Sequence, residues 1–150
     1  MATFTAVFVW GGGPVGLARV LPDNDAARGS GMVVDTHFPR CDDGMRITCI
    51  VDGDTIWYQG EKIRIADIDT PEVGDPGCAN ERSMGNRAMN RMQVLLNEGE
   101  FTLSRPFGTP DRDQYDRLLR TVERDGESVG AMLVNEGLAE KWGGRRIAWC

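Results

Sequence analysis

Apolar and polar residues alternate with a period of two in the middle of the chain, which is typical of half-buried strands. The pattern predicts a first strand at 46–51 (RITCIV), and glycine-containing turns at 52–53 and 59–60 separate it from further strands at 55–58 and 62–68. The third segment (KIRIADI) has the clearest alternation. These three segments predict a three-stranded meander.

Helical spacing replaces the alternation after the meander. Asn80 is the predicted N-cap of a helix that begins at Glu81 and ends near residues 97–99. Its inward positions recur three or four residues apart, as in an amphipathic helix: Met84, Ala88, Met92, Leu95 and Leu96.

The last third of the chain predicts two more strands and a short helix. The strands lie at 101–103 and 118–124, with a polar loop at 106–116 between them, and Ser128 caps a helix that Gly137 ends. Three strands, a helix, two strands and a helix describe a five-stranded OB-fold, a β-barrel with helices in the α+β class. A short C-terminal tail follows.

The first forty residues do not follow this pattern. Gly11, Gly13 and Gly16 fit a dinucleotide-binding fingerprint, and Asp35 falls near the expected ribose-binding position. Pro22 and the polar residues after it interrupt the helix that such a site requires. A nucleotide-binding leader is therefore an alternative that the helix pattern does not favour.

We expect two parts in the chain: an N-terminal leader at 1–40, poorly ordered or signal-like, and a domain at 41–150. The leader has no basic residue before Arg19, so it lacks the charged start of a secretory signal. No apolar run reaches the ~20 residues that span a bilayer. The sequence therefore predicts no membrane span.

Charge and histidine content narrow the classes of function. The 150 residues contain 17 basic and 23 acidic side chains, a formal net charge of -6 that lies entirely in residues 41–150. Such a balance argues against a generic nucleic-acid coat protein, which is usually basic. His37 is the only histidine, so catalytic triads and multi-histidine metal sites are disfavoured.

Four cysteines leave the redox state open: Cys41, Cys49, Cys78 and Cys150. An even number permits a disulfide framework with three possible pairings. Four free, buried thiols are the other possibility. The spacing matches no zinc motif.

Acidic residues gather at two predicted strand ends. Asp52 and Asp54 flank the first turn, and Asp67 and Asp69 end the third strand. Oxygen ligands from two adjacent strand ends suit Ca²⁺ or Mg²⁺ and not Zn²⁺.

Two arginines and a further carboxylate complete a set of groups suited to phosphodiester hydrolysis. Arg64 and Arg117 offer planar forks for phosphate oxygens, and Glu72 follows the second acidic cluster. A metal ion polarises the phosphoryl group, a carboxylate accepts the proton of water, and arginines stabilise the transition-state charge.

Four separated segments resemble the staphylococcal-nuclease-like (thermonuclease) family, in the family's order. They are 50–55 (IVDGDT), 63–72 (IRIADIDTPE), 113–119 (DQYDRLL) and 125–138 (DGESVGAMLVNEGL). The resemblance covers most of the predicted domain, from about residue 48 to residue 142.

The resemblance implies roles for five acidic-site residues. Asp54 and Asp69 are the calcium carboxylates, and the backbone carbonyl of Thr70 is a further ligand. Glu72 is the general base, or orients the attacking water. Asp52 is a secondary acid beside the metal.

The resemblance also implies a substrate and a reaction. Arg64 and Arg117 bind the scissile phosphate, and Tyr115 lies in the substrate-side loop. Members hydrolyse DNA and RNA with Ca²⁺ and cut the 5′-oxygen–phosphorus bond to leave 3′-phosphates. For this chain we expect a monomer that prefers single-stranded substrates. The sequence leaves its compartment open, and the family resemblance and the four cysteines favour a secreted or periplasmic setting over others.

The chain departs from the family's prototype near the substrate. Gln114 stands where the prototype has a lysine, and the two tyrosines that stack on the nucleotide are missing. Trp142 or Trp149 is a candidate replacement. The main alternative function is a non-catalytic OB-fold module that binds nucleic acid or a peptide, as degenerate family members do.

Overall fold

A computed structural model of the chain describes residues 31–42, 44 and 46–150. Within that part the strands are β1 (Met32–Val34), β2 (Cys49–Asp52), β3 (Thr55–Tyr58), β4 (Glu61–Ile65), β5 (Ile68–Asp69), β6 (Phe101–Ser104), β7 (Leu118–Arg124), β8 (Glu127–Ser128) and β9 (Glu140–Lys141). The helices are α1 (Ala79–Asn97) and α2 (Val129–Asn135).

The predicted meander forms as β2, β3 and β4, which pair antiparallel in that order. The turn between β3 and β4 places Gln59 and Gly60 at positive φ, as a two-residue hairpin turn requires. The third segment is shorter than predicted, because the chain turns after Ile65. The next two residues in strand conformation, Ile68 and Asp69, pair with β9 instead.

The second half of the chain completes the sheet, whose strand order is β1-β6-β7-β4-β3-β2. Strand β7 pairs parallel with β4 and antiparallel with β6 and β8. This curled sheet with two helices is consistent with the predicted OB-type α+β fold, although short strands are added to the five that the sequence indicates.

Residues 31–41 join the two ends of the sheet. Strand β1 pairs with β6 at one end. Further along, the amide of Cys41 donates to the carbonyl of Ile50, and the amide of Ile50 donates to that of Pro39. Phe38 is completely buried between these contacts. Residues 31–40, which lie in the predicted leader, thus contribute a strand and a core aromatic side chain.

Residues 1–30 lie outside the described part, so the predicted leader is described only from residue 31, and the glycines of the dinucleotide fingerprint are not described. Asp35 follows β1 and is exposed. Strand β1 is antiparallel to its only neighbour in the described sheet. A dinucleotide-binding unit would need a parallel strand at this place.

Helix α1 begins two residues earlier than predicted, and its N-cap is Cys78 instead of Asn80. The Cys78 sulfur accepts from the amide of Glu81. The Asn80 side chain donates to the carbonyl of Trp149, at 2.6 Å. Asn80 therefore contacts the C-terminal tail and does not cap the helix.

The short helix α2 confirms its predicted start. The Ser128 hydroxyl accepts from the amide of Ala131, at 3.1 Å, as an N-cap does. Gly137 has a φ of 72°, the left-handed conformation that commonly follows a helix end. Both helices pack on the sheet around one core, whose largest fully buried side chains include Phe38, Ile50, Ile56, Ile63, Met92 and Leu103.

Two disulfides connect the four cysteines. Cys41 bonds to Cys49 beside the β1-to-β2 connection, and Cys78 bonds to Cys150. The second bond ties the C-terminal residue to the N-cap of α1. Neither helix in the described part is long and apolar enough to cross a membrane.

Candidate active site

Two carboxylates from different elements converge on one guanidinium nitrogen. Asp54 lies in the turn before β3, Asp69 ends β5, and Arg64 projects from β4. Nη2 of Arg64 lies 3.2 Å from Oδ2 of Asp54 and 2.8 Å from Oδ1 of Asp69. The fold thus brings together three residues that the sequence places 15 positions apart at most.

Asp54 is the most deeply buried carboxylate of this cluster, with 6% of its surface exposed. Burial, opposed by Arg64 and helped by the charge of Asp52, raises its pKa to about 6. The ionised form is therefore disfavoured in the folded protein unless a positive charge offsets it. Arg64 does so only in part.

Asp52 holds the backbone of Asp54, and Thr70 holds its carboxylate. Oδ1 of Asp52 accepts from the amide of Asp54, at 3.1 Å, and the amide of Thr70 donates to Oδ2 of Asp54, at 2.8 Å. Gly53 allows this close packing, because a Cβ there would lie 2.8 Å from Cγ2 of Thr70. Four of the predicted site residues therefore form one cluster with Arg64.

Glu72 lies in the exposed loop between Thr70 and α1. Partial burial raises its pKa, and the negative charges of Asp54, Asp69 and Glu81 raise it further. The positive charge of Arg64 opposes these effects but does not cancel them. A carboxylate with a raised pKa is a better proton acceptor than a free one.

Arg117 is held by the loop before β7. Its Nε donates to Oδ2 of Asp113, at 2.7 Å, and Oδ1 of Asp113 accepts the amides of Tyr115 and Arg117. Burial opposes ionisation of Asp113, but these hydrogen bonds outweigh it and lower its pKa. Asp113 thus stays charged and orients Arg117.

A groove of about 400 Å³ joins the two arginines. Tyr115 and Trp142 line it, and the guanidinium of each arginine lies 5.4 Å from the ring centroid of one of them, Arg117 over Tyr115 and Arg64 over Trp142. Gln114 lines the same groove. Trp149 is not among the residues that line it.

Sequence reasoning missed Glu140. This residue pairs with Asp69 between β9 and β5, is 6% exposed, and is one of the charges that raise the pKa of Asp69, after burial and Asp54. Its Oε2 accepts from the amide of Ile147. Its position in sequence gave no signal, because only the antiparallel pairing of β5 with β9 brings it beside Asp69.

The donor set fits a hard divalent cation. Asp54 and Asp69 present carboxylate oxygens to one point, and each has a raised pKa that added positive charge would lower. Within residues 31–42, 44 and 46–150, no three His, Cys, Asp or Glu side chains form a metal-binding group. A cation here would take its remaining ligands from backbone carbonyls and water, as Ca²⁺ and Mg²⁺ commonly do.

Comparison with known proteins places this arrangement in a family. Residues 62–145 match the family described as staphylococcal nuclease homologue, and they include Arg64, Asp69, Glu72 and Arg117. The chain belongs to the staphylococcal nuclease family. The predicted family resemblance is thereby confirmed, and three of the four sequence segments lie within the matched residues.

Proteins of two bacteria are similar to more than half of the chain. Endonuclease YncB of Bacillus subtilis (strain 168) is 42% identical over 94 residues, which cover 59% of this chain and 43% of that protein. The SPbeta prophage-derived endonuclease YokF of the same strain is 43% identical over 94 residues, 59% of this chain and 31% of that protein. Succinoglycan biosynthesis protein ExoI of Rhizobium meliloti (strain 1021) is 32% identical over 93 residues, 60% of this chain and 48% of that protein. The chain spans less than half the length of these relatives.

Proposed function

We propose that this protein is a metal-dependent nuclease that hydrolyses phosphodiester bonds of DNA and RNA. The observation that carries the proposal is the convergence of Asp54 and Asp69 on Arg64 beside a groove with a second arginine. Two relatives with the same region are named endonucleases. The cleaved bond is the 5′-oxygen–phosphorus bond, which leaves 3′-phosphates.

Asp54, Asp69 and the backbone carbonyl of Thr70 hold the cation, which we propose is Ca²⁺, with Asp52 as a secondary acid. When bound, the ion polarises a phosphoryl oxygen and lowers the pKa of a coordinated water. Asp52 already fixes the backbone amide of Asp54, and the amide of Thr70 fixes its carboxylate. The carboxylate thus needs little rearrangement on binding.

Glu72 accepts the proton of the attacking water or orients that water. Its raised pKa and its place on an exposed loop beside the acidic cluster support this role. A general base works best when its pKa lies closer to the working pH than that of a free carboxylate.

Arg117 and Arg64 stabilise the negative charge of the phosphate. Arg117 uses Nε for Asp113, and its side chain is among those that line the groove. Arg64 adds positive charge between the acids and the groove. Arginine forks match phosphate oxygens and act where charge grows in the transition state.

Tyr115 and Trp142 receive the nucleotide in this proposal. Both are largely exposed and line the groove, and stacking on aromatic rings requires a base that is unpaired and accessible. Single-stranded nucleic acid is therefore the preferred substrate, and a monomer suffices because one chain supplies every group.

We also propose that the protein works in an oxidising compartment, secreted or periplasmic. The four cysteines form two disulfides, and such bonds persist outside the reducing cytosol.

The test is hydrolysis of single-stranded DNA and RNA oligonucleotides by the full chain, with Ca²⁺, with Mg²⁺ and with a chelator. We expect Ca²⁺-dependent cleavage with 3′-phosphate ends, and a fall in kcat of about a hundredfold or more in Glu72→Gln. Glu127→Gln, an exposed glutamate on β8, is the matched control and should retain full activity.

Two results would reject the proposal. One is equal activity of Glu72→Gln and the unsubstituted chain. The other is binding of the oligonucleotide without cleavage under any divalent cation, which would favour the non-catalytic binding module.

A further inference from the structure

The loop that carries Glu72 rests on the first two turns of α1. We infer that Glu81 and Gly85 are positioning residues for Glu72, and that α1 is the platform that fixes this carboxylate against the acidic cluster. The inference rests on the proposed function, in which Glu72 accepts the proton of the attacking water or orients that water. Either role depends on where the carboxylate lies.

Glu81 contacts the loop at both ends. Its Oε2 accepts from the amide of Gly77, at 2.6 Å, and its Oε1 lies 3.4 Å from the amide nitrogen of Glu72. One carboxylate thus spans the six residues from Glu72 to Gly77. Because a charged acceptor makes stronger hydrogen bonds than a neutral one, it restrains the loop backbone directly.

Gly85 lies one turn further along α1 and touches the same loop. A Cβ at this position would lie 2.6 Å from the carbonyl oxygen of Pro71 and 3.0 Å from that of Glu72. These neighbours are backbone atoms, so the loop itself would have to move. A glycine inside a helix is less favourable than alanine by about 1 kcal/mol, and the close approach of the loop accounts for it here.

A simpler role for Glu81 would be helix capping. A glutamate at the third helical position ordinarily closes a capping box by accepting from the N-cap amide. Here the N-cap is Cys78, and the Glu81 carboxylate accepts from Gly77, outside the helix, and approaches Glu72. Capping alone predicts a loss of stability, whereas positioning predicts a loss of kcat that depends on Glu72.

The experiment is a double-mutant cycle on oligonucleotide hydrolysis at saturating Ca²⁺. We expect Glu81→Gln and Gly85→Ala each to lower kcat about tenfold or more, with KM within twofold, because small displacements of a catalytic group have large effects on rate. In a Glu72→Gln background the same substitutions should lower kcat no further, because they act only through Glu72.

Two matched controls and one independent measurement accompany the cycle. Gly74→Ala is the control for Gly85→Ala, because Gly74 lies in the same loop and a Cβ there would meet nothing within 4 Å. Glu127→Gln is the control for Glu81→Gln. Amide hydrogen exchange of Glu72 and Gly77 should be faster in Glu81→Gln, since glutamine has one acceptor oxygen for two amides.

The outcomes separate this inference from the proposed function. Unchanged kcat in Glu81→Gln and Gly85→Ala, or an equal loss in the Glu72→Gln background, would overturn the positioning role and leave the nuclease proposal intact. A Glu72→Gln variant as active as the unsubstituted chain would instead reject the nuclease proposal, and the inference with it. Thermal unfolding of each variant identifies a loss of fold.

Discussion

Arg64 and Arg117 line the same groove, but the protein holds them in different ways. The Arg64 side chain is 9% exposed and donates to the carbonyls of Ile65 and Ile68 as well as to Asp69. The Arg117 side chain is 24% exposed, and Asp113 is its ion-pair partner in the described part of the chain. The first arginine is part of the folded core around the acids, and the second projects from a loop.

This difference indicates that the two arginines have different roles. The guanidinium of Arg64 offsets the charges of two carboxylates that otherwise repel each other, so its loss affects both the acidic cluster and the phosphate. Asp113 orients Arg117 through Nε alone, which leaves the fork of Nη donors for a ligand. The buried half of the site is therefore built for charge balance, and the exposed half for contact with substrate.

Replacing Arg64 and Arg117 in turn by lysine tests this comparison, and the expected loss of kcat is the largest effect predicted. Lysine cannot reproduce the planar fork. We expect Arg64→Lys to lower both kcat, by about a hundredfold or more, and the free energy of unfolding, because a desolvated network loses its geometry. Arg117→Lys should lower kcat by a similar factor with little change in stability. Hydrolysis kinetics and chemical denaturation measure the two quantities.

The exposed Arg105 supplies the control for both substitutions. Arg105→Lys should change neither kcat nor the free energy of unfolding. Equal loss of stability in Arg64→Lys and Arg117→Lys would contradict the division between a buried and an exposed half.

In the presence of a chelator, Asp54→Asn should raise the free energy of unfolding, whereas Arg64→Lys should lower it. The expected change is smaller than the loss of kcat in the arginine variants. The pKa of Asp54 is raised from 3.8 to about 6, so between these values the folded chain binds more protons than the unfolded chain. Stability therefore falls as pH rises through this window, by up to about 3 kcal/mol. Asparagine removes the ionised form, and we expect a higher free energy of unfolding at pH 7 and a flatter pH dependence.

Thermal or chemical unfolding from pH 4 to pH 7 measures this effect. Asp75→Asn, an exposed carboxylate in the loop after Glu72, is the control and should leave the profile unchanged. A less stable Asp54→Asn protein at pH 7 would show that Arg64 already compensates the buried charge. With added Ca²⁺ the unsubstituted chain should become more stable than Asp54→Asn, because a bound cation stabilises the ionised carboxylate.

Local sequence predicts the buried half of the site better than the exposed half. The turn with Asp52 and Asp54 and the strand with Arg64 follow from period-two alternation and turn residues. These three residues lie within one meander, so short-range pattern is enough to place them. Asp69 differs, because β4 ends at Ile65 and Asp69 lies in β5, which pairs with β9.

Long-range pairing explains what the sequence did not predict. The pairing of Cys41 with Cys49 and of Cys78 with Cys150 depends on barrel closure and on the path of the tail, and spacing alone permits three arrangements. The place of Glu140 depends on the pairing of β5 with β9. Local pattern predicts Asn80 as the N-cap of α1 because asparagine is a common cap and cysteine is not, whereas the structure has Cys78 there.

Trp142→Leu tests the exposed half of the site, and its expected effect on KM is the smallest of those predicted. Trp142 is 60% exposed and stacks on Arg64 beside the groove, whereas Trp149 contributes its backbone carbonyl to Asn80. If Trp142 stacks on a base, its loss removes about 1 kcal/mol or slightly more of binding. We therefore expect KM for a single-stranded oligonucleotide to rise five- to tenfold, about the factor that this energy gives, with kcat within twofold. Trp149→Leu should leave both constants unchanged. A fall in kcat with constant KM would mean that Trp142 acts through Arg64, and the ring would then belong to the buried half of the site.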